Sequence, residues 1–231
     1  MKARIILLFT LIFSALTLTA CGGGSDSDDV TASLDLVPVG SRPGFDLTAL
    51  TDQINSLPIE ALTDEEKSDL IFMREEEKLA RDSYDTLYSL WGQTVFDNIS
   101  DSEQVHMESV LIVLDKYGLE DPAADDVPAY FVDYDLQVLY DYLMDLGDNS
   151  LVDALMVGAE IEEVDIVDLE IRMARTDNQD IQLIYENLMK GSRNHLRSFV
   201  SNLEAQNVTY VPTHLSQEEF DAIINSPMEK G

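Results

Sequence analysis

Four long segments of the chain repeat apolar residues at alternating spacings of three and four positions, which is the period of an α-helix with one buried face. The first follows a capping box formed by Thr63 and Glu66. The segments cover 64–90, 94–117, 150–173 and 181–205. Their lengths, about 20 to 28 residues, are typical of the helices in a four-helix bundle.

Weaker patterns predict shorter elements around these four helices. Short helices are indicated over 47–57 and 136–146, and Ser216 with Glu219 forms a second capping box that begins a closing helix. Only 208–211 has the composition of a strand. The fold class that follows is all-α, with a long connection between the second and third long helices and a short C-terminal helix.

Each of the four apolar faces is interrupted near its middle by a residue that can bind a metal. Glu77 interrupts the first face, Glu103 and His106 the second, Glu162 the third and His195 the fourth. Burying carboxylates without compensation costs several kcal/mol each, and Lys and Arg are scarce on these faces. The pattern therefore predicts a metal site inside the bundle.

The spacing of Glu103 and His106 fits a site for two metal ions. Residues three apart in a helix project from adjacent turns, so one oxygen and one nitrogen can serve neighbouring positions of a site about 3.5 to 4 Å across. Carboxylate and imidazole ligands suit iron, with manganese or zinc as alternatives. Tyr84, two turns after Glu77, is placed to hydrogen-bond a ligand.

The pattern does not decide which of two adjacent acids points inward from each apolar stripe, the row of apolar residues on one face of a helix. A shift of one position exchanges Glu76 for Glu77 or Glu163 for Glu162. We expect Glu76 and Glu163, together with two other acids that flank the stripes, to be solvated. Those two acids are Glu75 and Glu160.

The charge of the chain excludes one class of partner. It has 14 Lys and Arg against 45 Asp and Glu, a net charge of -31, which repels nucleic acid. With 45% hydrophobic residues there is still enough apolar material for a core. The acidity also supports an alternative function, that of an acidic surface protein with a structural or partner-binding role.

The N-terminus has the composition of an export signal. Lys2 and Arg4 precede an apolar run over 5–18 that is too short to span a bilayer comfortably. The run ends in Leu-Thr-Ala before Cys21, the only cysteine, and this resembles a bacterial lipobox whose cysteine is lipidated. We expect a lipoprotein signal peptide over 1–20, a lipid-anchored flexible tether over 21–60 and the folded domain over 61–231. The protein is then exported and anchored by lipid in the cell envelope, on the periplasmic or extracellular face.

Four sequence blocks together resemble an uncharacterised ferritin-like domain family of unknown function. They are EEEKLARD at 75–82, SEQVHM at 102–107, GAEIEEVDIVDL at 158–169 and GSRNHL at 191–196. The resemblance extends over about residues 70–224 and implies a ferritin-like four-helix bundle. In ferritins and bacterioferritins the first helix supplies a Glu followed seven residues later by a Tyr, the second a Glu-x-x-His and the third a Glu. These positions correspond to Glu77 with Tyr84, Glu103 with His106, and Glu162.

The fourth helix departs from the family pattern at one position. Bacterioferritin-type sites have Glu three residues before the His, whereas this chain has Ser192 before His195. We expect Asp165, one turn after Glu162, to replace the missing carboxylate, and Ser192 to lie beside the site. Four carboxylates then balance two divalent ions. The resemblance implies metal oxidation or sequestration, with a ferroxidase-like or other di-metal oxidase activity and the oligomeric state left open.

Overall fold

The computed structural model describes residues 47–230, and these residues form seven α-helices without a strand. The helices are α1 Leu47–Ser56, α2 Asp64–Trp91, α3 Thr94–Tyr117, α4 Tyr134–Gly147, α5 Leu151–Met173, α6 Gln179–Ala205 and α7 Gln217–Ile224. The prediction of an all-α fold is confirmed, and the strand considered at 208–211 is wrong. The signal peptide, Cys21 and the tether up to residue 46 lie outside the described residues.

The predicted helix ends have the expected local chemistry. Thr63 forms a capping box with Glu66 at the start of α2, and the Ser150 side chain accepts a hydrogen bond from the Asp153 backbone at the start of α5. Gly92 ends α2 with φ 64°, a left-handed conformation that glycine adopts without the strain a side chain would add. These short-range signals explain why the boundaries of the long helices follow from the sequence.

The four long helices α2, α3, α5 and α6 surround a common interior. Helix α2 packs on α3 and α5, and α6 packs on α3 and α5. The apolar interior forms two clusters, which lie toward opposite ends of these helices. The first cluster includes Tyr84, Phe96 and Phe199, and the second includes Leu70 and Val110. Along each long helix, the acids and histidines singled out by the sequence fall between residues of the two clusters.

Helix α1 belongs to the folded part of the chain, which corrects the expected domain start at residue 61. It packs on α3, where Leu50 is buried and Ile54 is fully buried. The Lys116 ammonium donates hydrogen bonds to the backbone oxygens of Ile54 and Leu57, at 2.8 and 3.1 Å. Two buried apolar residues one turn apart and the hydrogen bonds from Lys116 thus dock this helix. Residues 47–56 of the segment predicted to be a tether are therefore part of the fold.

No helix within residues 47–230 combines the length and the apolar character that a membrane span requires.

Candidate metal centre

Five side chains from the four long helices meet between the two apolar clusters. They are Glu77 from α2, Glu103 and His106 from α3, Glu162 from α5 and His195 from α6. None of them is more than 7% exposed. The structure therefore brings together the five residues that interrupt the apolar stripes, with Glu77 rather than Glu76 and Glu162 rather than Glu163 in the centre.

Glu103 lies between the two imidazole rings and contacts both. Its Oε2 is 2.6 Å from His106 Nδ1, and its Oε1 is 2.7 Å from His195 Nδ1. The two rings stack with their centroids 5.4 Å apart. Each oxygen of one carboxylate thus faces a different imidazole.

Glu77 and Glu162 occupy the outer sides of this arrangement. Glu77 Oε2 is 3.2 Å from His106 Nδ1, and Glu162 Oε2 is 3.4 Å from His195 Nδ1. In the described residues, two groups of three have one ligand atom each within 4.8 Å of the others. The first group is Glu77, Glu103 and His106, and the second is Glu103, Glu162 and His195. The groups share Glu103, so they form one centre with two adjacent positions.

The hydrogen bonding of the centre leaves room for a cation. Among residues 47–230, neither Glu77 Oε1 nor His195 Nδ1 has a hydrogen-bond partner, although both atoms are buried. His195 Nδ1 faces two carboxylate oxygens, at 2.7 Å from Glu103 Oε1 and 3.4 Å from Glu162 Oε2. Unsatisfied buried polar atoms cost about 1 to 3 kcal/mol each, and a metal held by the ligand group to which each atom belongs would remove that cost. The donor set therefore fits a metal.

Ser102 orients His195 for binding through Nδ1. Its Oγ lies 3.0 Å from His195 Nε2, at the opposite edge of the ring from Glu103. If Nε2 carries the proton and donates it to Ser102, the lone pair of Nδ1 faces the carboxylates. A hydrogen bond at the second ring nitrogen commonly fixes the tautomer of metal-binding histidines.

The electrostatics of the centre show that protons compete with metals for these ligands. Burial lowers the pKa of His195, but the charges of Glu103 and Glu162 outweigh it and raise that pKa to about 10. Burial raises the pKa of Glu77 to about 7, against the opposite effect of His106. Burial also acts to raise the pKa of Glu103, yet the charges of the two histidines hold it below its usual value. Metal binding must displace protons from these groups.

Tyr84 and Ser192 lie beside the centre, and the hydroxyl of each donates a hydrogen bond to one carboxylate. The Tyr84 hydroxyl donates to Glu162 Oε1, and its ring packs against Phe199 with the centroids 5.2 Å apart. The Ser192 hydroxyl donates to Asp165 Oδ2. These contacts orient the carboxylates from outside the two ligand groups.

Asp165 belongs to neither ligand group found in the described residues, but it lies close to both. Its Oδ1 is buried and finds no hydrogen-bond partner in the described part of the chain. Burial raises the pKa of Asp165 well above its usual value, and the charges of Glu77, Glu162 and Glu103 raise it further. Asp165 therefore places one carboxylate oxygen without a hydrogen-bond partner beside the two ligand groups.

Gly191 positions the ring of His106, a role that the helical spacing alone does not indicate. A Cβ at Gly191 would overlap the His106 ring atoms Cε1 and Nε2. Only glycine therefore allows α6 and the imidazole to approach this closely.

Substitution Gly191→Ala should weaken metal binding by displacing His106. Gly147→Ala is the matched control, because its added methyl overlaps the flexible end of Leu87 rather than a ligand. We expect Gly191→Ala to lower metal affinity by about tenfold or more while Gly147→Ala leaves it unchanged. Titration calorimetry checks this, and equal affinities for the two variants would contradict the role given to Gly191.

Three of the four acids expected to be solvated are buried. Glu75 accepts hydrogen bonds from the backbone nitrogens of Val132 and Asp133, so it holds the connection before α4. Glu163 accepts from the backbone nitrogens of Thr213 and His214 and holds the segment before α7. Glu76 is also buried. For Glu75 and Glu163 the expectation fails because the connections cover the outer sides of α2 and α5, and for Glu76 because it faces Asp168 and Arg172 of α5.

The comparison with known families covers the whole candidate centre. Residues 66–227 match the family described as uncharacterized protein domain (DUF2202). The chain belongs to this family. All five residues of the two ligand groups lie within the matched range, so the candidate centre is part of the family domain.

A relative from Methanocaldococcus jannaschii has the same extent as the folded part of this chain. The uncharacterized protein MJ0754 is 50% identical over 182 residues, which is 79% of this chain and 98% of the relative. The crystal structure of hypothetical protein MJ0754 from Methanococcus jannaschii DSM 2661 superposes with a TM-score of 0.74 at 50% identity. That match covers 75% of this chain and 99% of the crystallised one.

Proposed function

We propose that this protein is a ferritin-like four-helix-bundle protein that binds two transition-metal ions between its long helices. The observation that carries the proposal is the position of Glu103, whose two oxygens face the Nδ1 atoms of His106 and His195. Glu77 supplies an outer carboxylate to one position and Glu162 to the other. In dimetal carboxylate bundles, a Glu from each of two helices and a Glu-x-x-His pair from each of the other two hold the ions.

Asp165 completes the charge of the proposed centre. Together with Glu77, Glu103 and Glu162 it supplies four negative charges, which balance two divalent cations. Its free Oδ1 supports this assignment, and Ser192 holds the other oxygen. The carboxylate that the fourth helix lacks is thus replaced from α5.

The ligand chemistry favours iron, with manganese or zinc as the other candidates. Carboxylates and imidazoles, without a thiolate, suit divalent iron and manganese. Paired iron(II) ions would supply electrons to an oxidant, so one proposed activity is oxidation of the metal. The other is sequestration of the metal. The residues of this chain bind the ions, hold the ligand orientations through Tyr84 and Ser192, and exclude bulk water by burying the centre between two apolar clusters.

Metal analysis of the purified full chain tests the proposed function. After anaerobic incubation with iron(II) and gel filtration, the protein should retain two ions per chain. Retention of none would favour the alternative of an acidic surface lipoprotein, for which the net charge of -31 is the supporting observation. Loosely bound surface cations do not survive the gel filtration, so they do not confuse the two results.

We also propose that Cys21 anchors the exported protein to a membrane through lipid. Substitution Cys21→Ser should move the protein from the membrane fraction to the soluble fraction, since each buried CH₂ of a lipid chain contributes about 0.8 kcal/mol. Ser25→Ala is the control and should remain with the membranes. Fractionation followed by immunoblotting measures the effect, and unchanged partitioning of Cys21→Ser would contradict lipidation.

A further inference from the structure

A row of three acids leads from the surface to the centre between α2 and α5. Asp168 is its outer member, with a side chain that is 16% exposed. Glu76 and Asp165 follow, at 6% and 7% exposure, and Glu77 of the centre is next to Glu76 in sequence. Asp165 and Asp168 are one turn apart on α5, and α2 packs against this helix. The row therefore runs from a partly exposed acid toward the candidate metal centre.

The carboxyl groups in this row face one another without sufficient counter-charge. The carboxyls of Glu76 and Asp168 lie within hydrogen-bond reach, and Asp165 also acts on Glu76 through its charge. Within residues 47–230, Glu76 Oε2 and Asp165 Oδ1 are buried and accept no hydrogen bond. Two carboxyl groups in such contact must share a proton or hold a cation between them.

Arg172 lies beside the row, and its charge acts on Glu76 as well as on Asp168 and Asp69. Its Nη1 lies 3.1 Å from Asp168 Oδ2, and its guanidinium packs over the Phe72 ring at 4.2 Å from the centroid. Arg172 also lies 3.7 Å from Asp69, so one positive charge is divided among three acids. The free oxygens of Glu76 and Asp165 remain available to an incoming cation.

We propose that Asp168 and Glu76 form the route by which divalent cations reach the metal centre, with Asp165 at its inner end. The proposal rests on the proposed function, since it assumes that the centre binds metal. The free oxygens offer successive carboxylate contacts to a cation that has lost part of its water shell. The negative charge of this row of acids also raises the local concentration of cations and speeds their capture.

The rate of cobalt(II) uptake tests the route. Stopped-flow absorption of cobalt(II) entering the metal-free full chain should show that Glu76→Gln slows uptake by about tenfold or more, while the final stoichiometry remains two. Asp168→Asn should slow uptake as well, and this residue is partly exposed, so its substitution disturbs packing less. Glu75→Gln is the control, because it removes the same charge from the adjacent buried residue, whose oxygens instead face the backbone of Val132 and Asp133.

The outcomes separate this proposal from the proposed function. Glu76→Gln keeps the shape of the side chain and can still hydrogen-bond Asp168. If this variant takes up cobalt(II) at the rate of the unsubstituted protein, the two groups only share a proton, and the route is overturned. A lower final stoichiometry in Glu76→Gln would make Glu76 a ligand and also overturn it. If the unsubstituted protein binds no cobalt, the proposed function fails, and the route fails with it.

Discussion

Glu103→Gln should remove both metal ions from the protein. Among the described residues, Glu103 is the one side chain shared by the two ligand groups, and an amide offers a single neutral oxygen in place of two anionic ones. We expect each position to lose about 100-fold or more in affinity, because even residues that only orient a ligand commonly contribute 10- to 100-fold. Metal analysis after gel filtration measures the loss. Asp115→Asn, which removes an exposed charge from the same helix, should retain both ions.

Asp165→Asn should have a smaller effect than Glu103→Gln. It removes one of the four negative charges that balance two divalent ions, so the number of bound ions should fall from two toward one. Both ligand groups stay intact, so one ion should remain bound. A parent protein and an Asp165→Asn variant that both bind a single ion would show a mononuclear site. Retention of two ions by Glu103→Gln would contradict the bridging role.

Removing the metal should lower the thermal stability of the protein substantially. A ligand at 100 times its dissociation constant stabilises the folded state by about 2.7 kcal/mol. For a domain of this size that corresponds to a fall in melting temperature of about 5 to 10 °C on chelation. Calorimetry of the cobalt-loaded and the chelator-treated full chain gives the difference. Identical melting temperatures would contradict metal binding by the folded state.

The effect of chelation should grow as the pH rises. In the metal-free protein, the pKa of Glu77 is raised from 4.5 to about 7 and that of His195 from 6.5 to about 10. The folded state then retains protons that the unfolded chain has released, so these groups lose their stabilising contribution as pH rises through those intervals. Glu103 acts in the opposite direction, since its lowered pKa stabilises the fold above pH 4.5 and that contribution is lost in acid.

Metal binding has the reverse pH dependence, because its ligands must be deprotonated. The difference in melting temperature between loaded and chelated protein should therefore widen from about pH 6 to about pH 8. A constant difference over this range would show that protons and metal do not compete for the same groups.

Helical periodicity was sufficient to select the residues that meet in the interior. Glu77, Glu103 and Glu162 interrupt apolar stripes whose other members are mostly buried, and the strong caps at Thr63 and Ser150 set where two of those helices begin. A residue that points inward from a long regular helix must meet the residues of the facing helices. This argument requires no knowledge of the connections between helices.

Other features depend on contacts between segments far apart in sequence. The burial of Glu75 and Glu163 depends on backbone nitrogens of segments about fifty residues away, and no local pattern encodes these bonds. The role of Gly191 depends on how closely α6 approaches His106. Docking of α1 depends on Lys116, which bonds its last backbone oxygens. These features follow from tertiary packing rather than from periodicity.

Anomalous X-ray diffraction from crystals of the cobalt-loaded protein tests the two-metal centre most directly. We expect two peaks per chain on either side of the Glu103 carboxylate, separated by about 3.5 to 4 Å. One peak should lie near Glu77 and His106 and the other near Glu162 and His195. A single peak, or no peak between the four long helices, would contradict the two-metal centre.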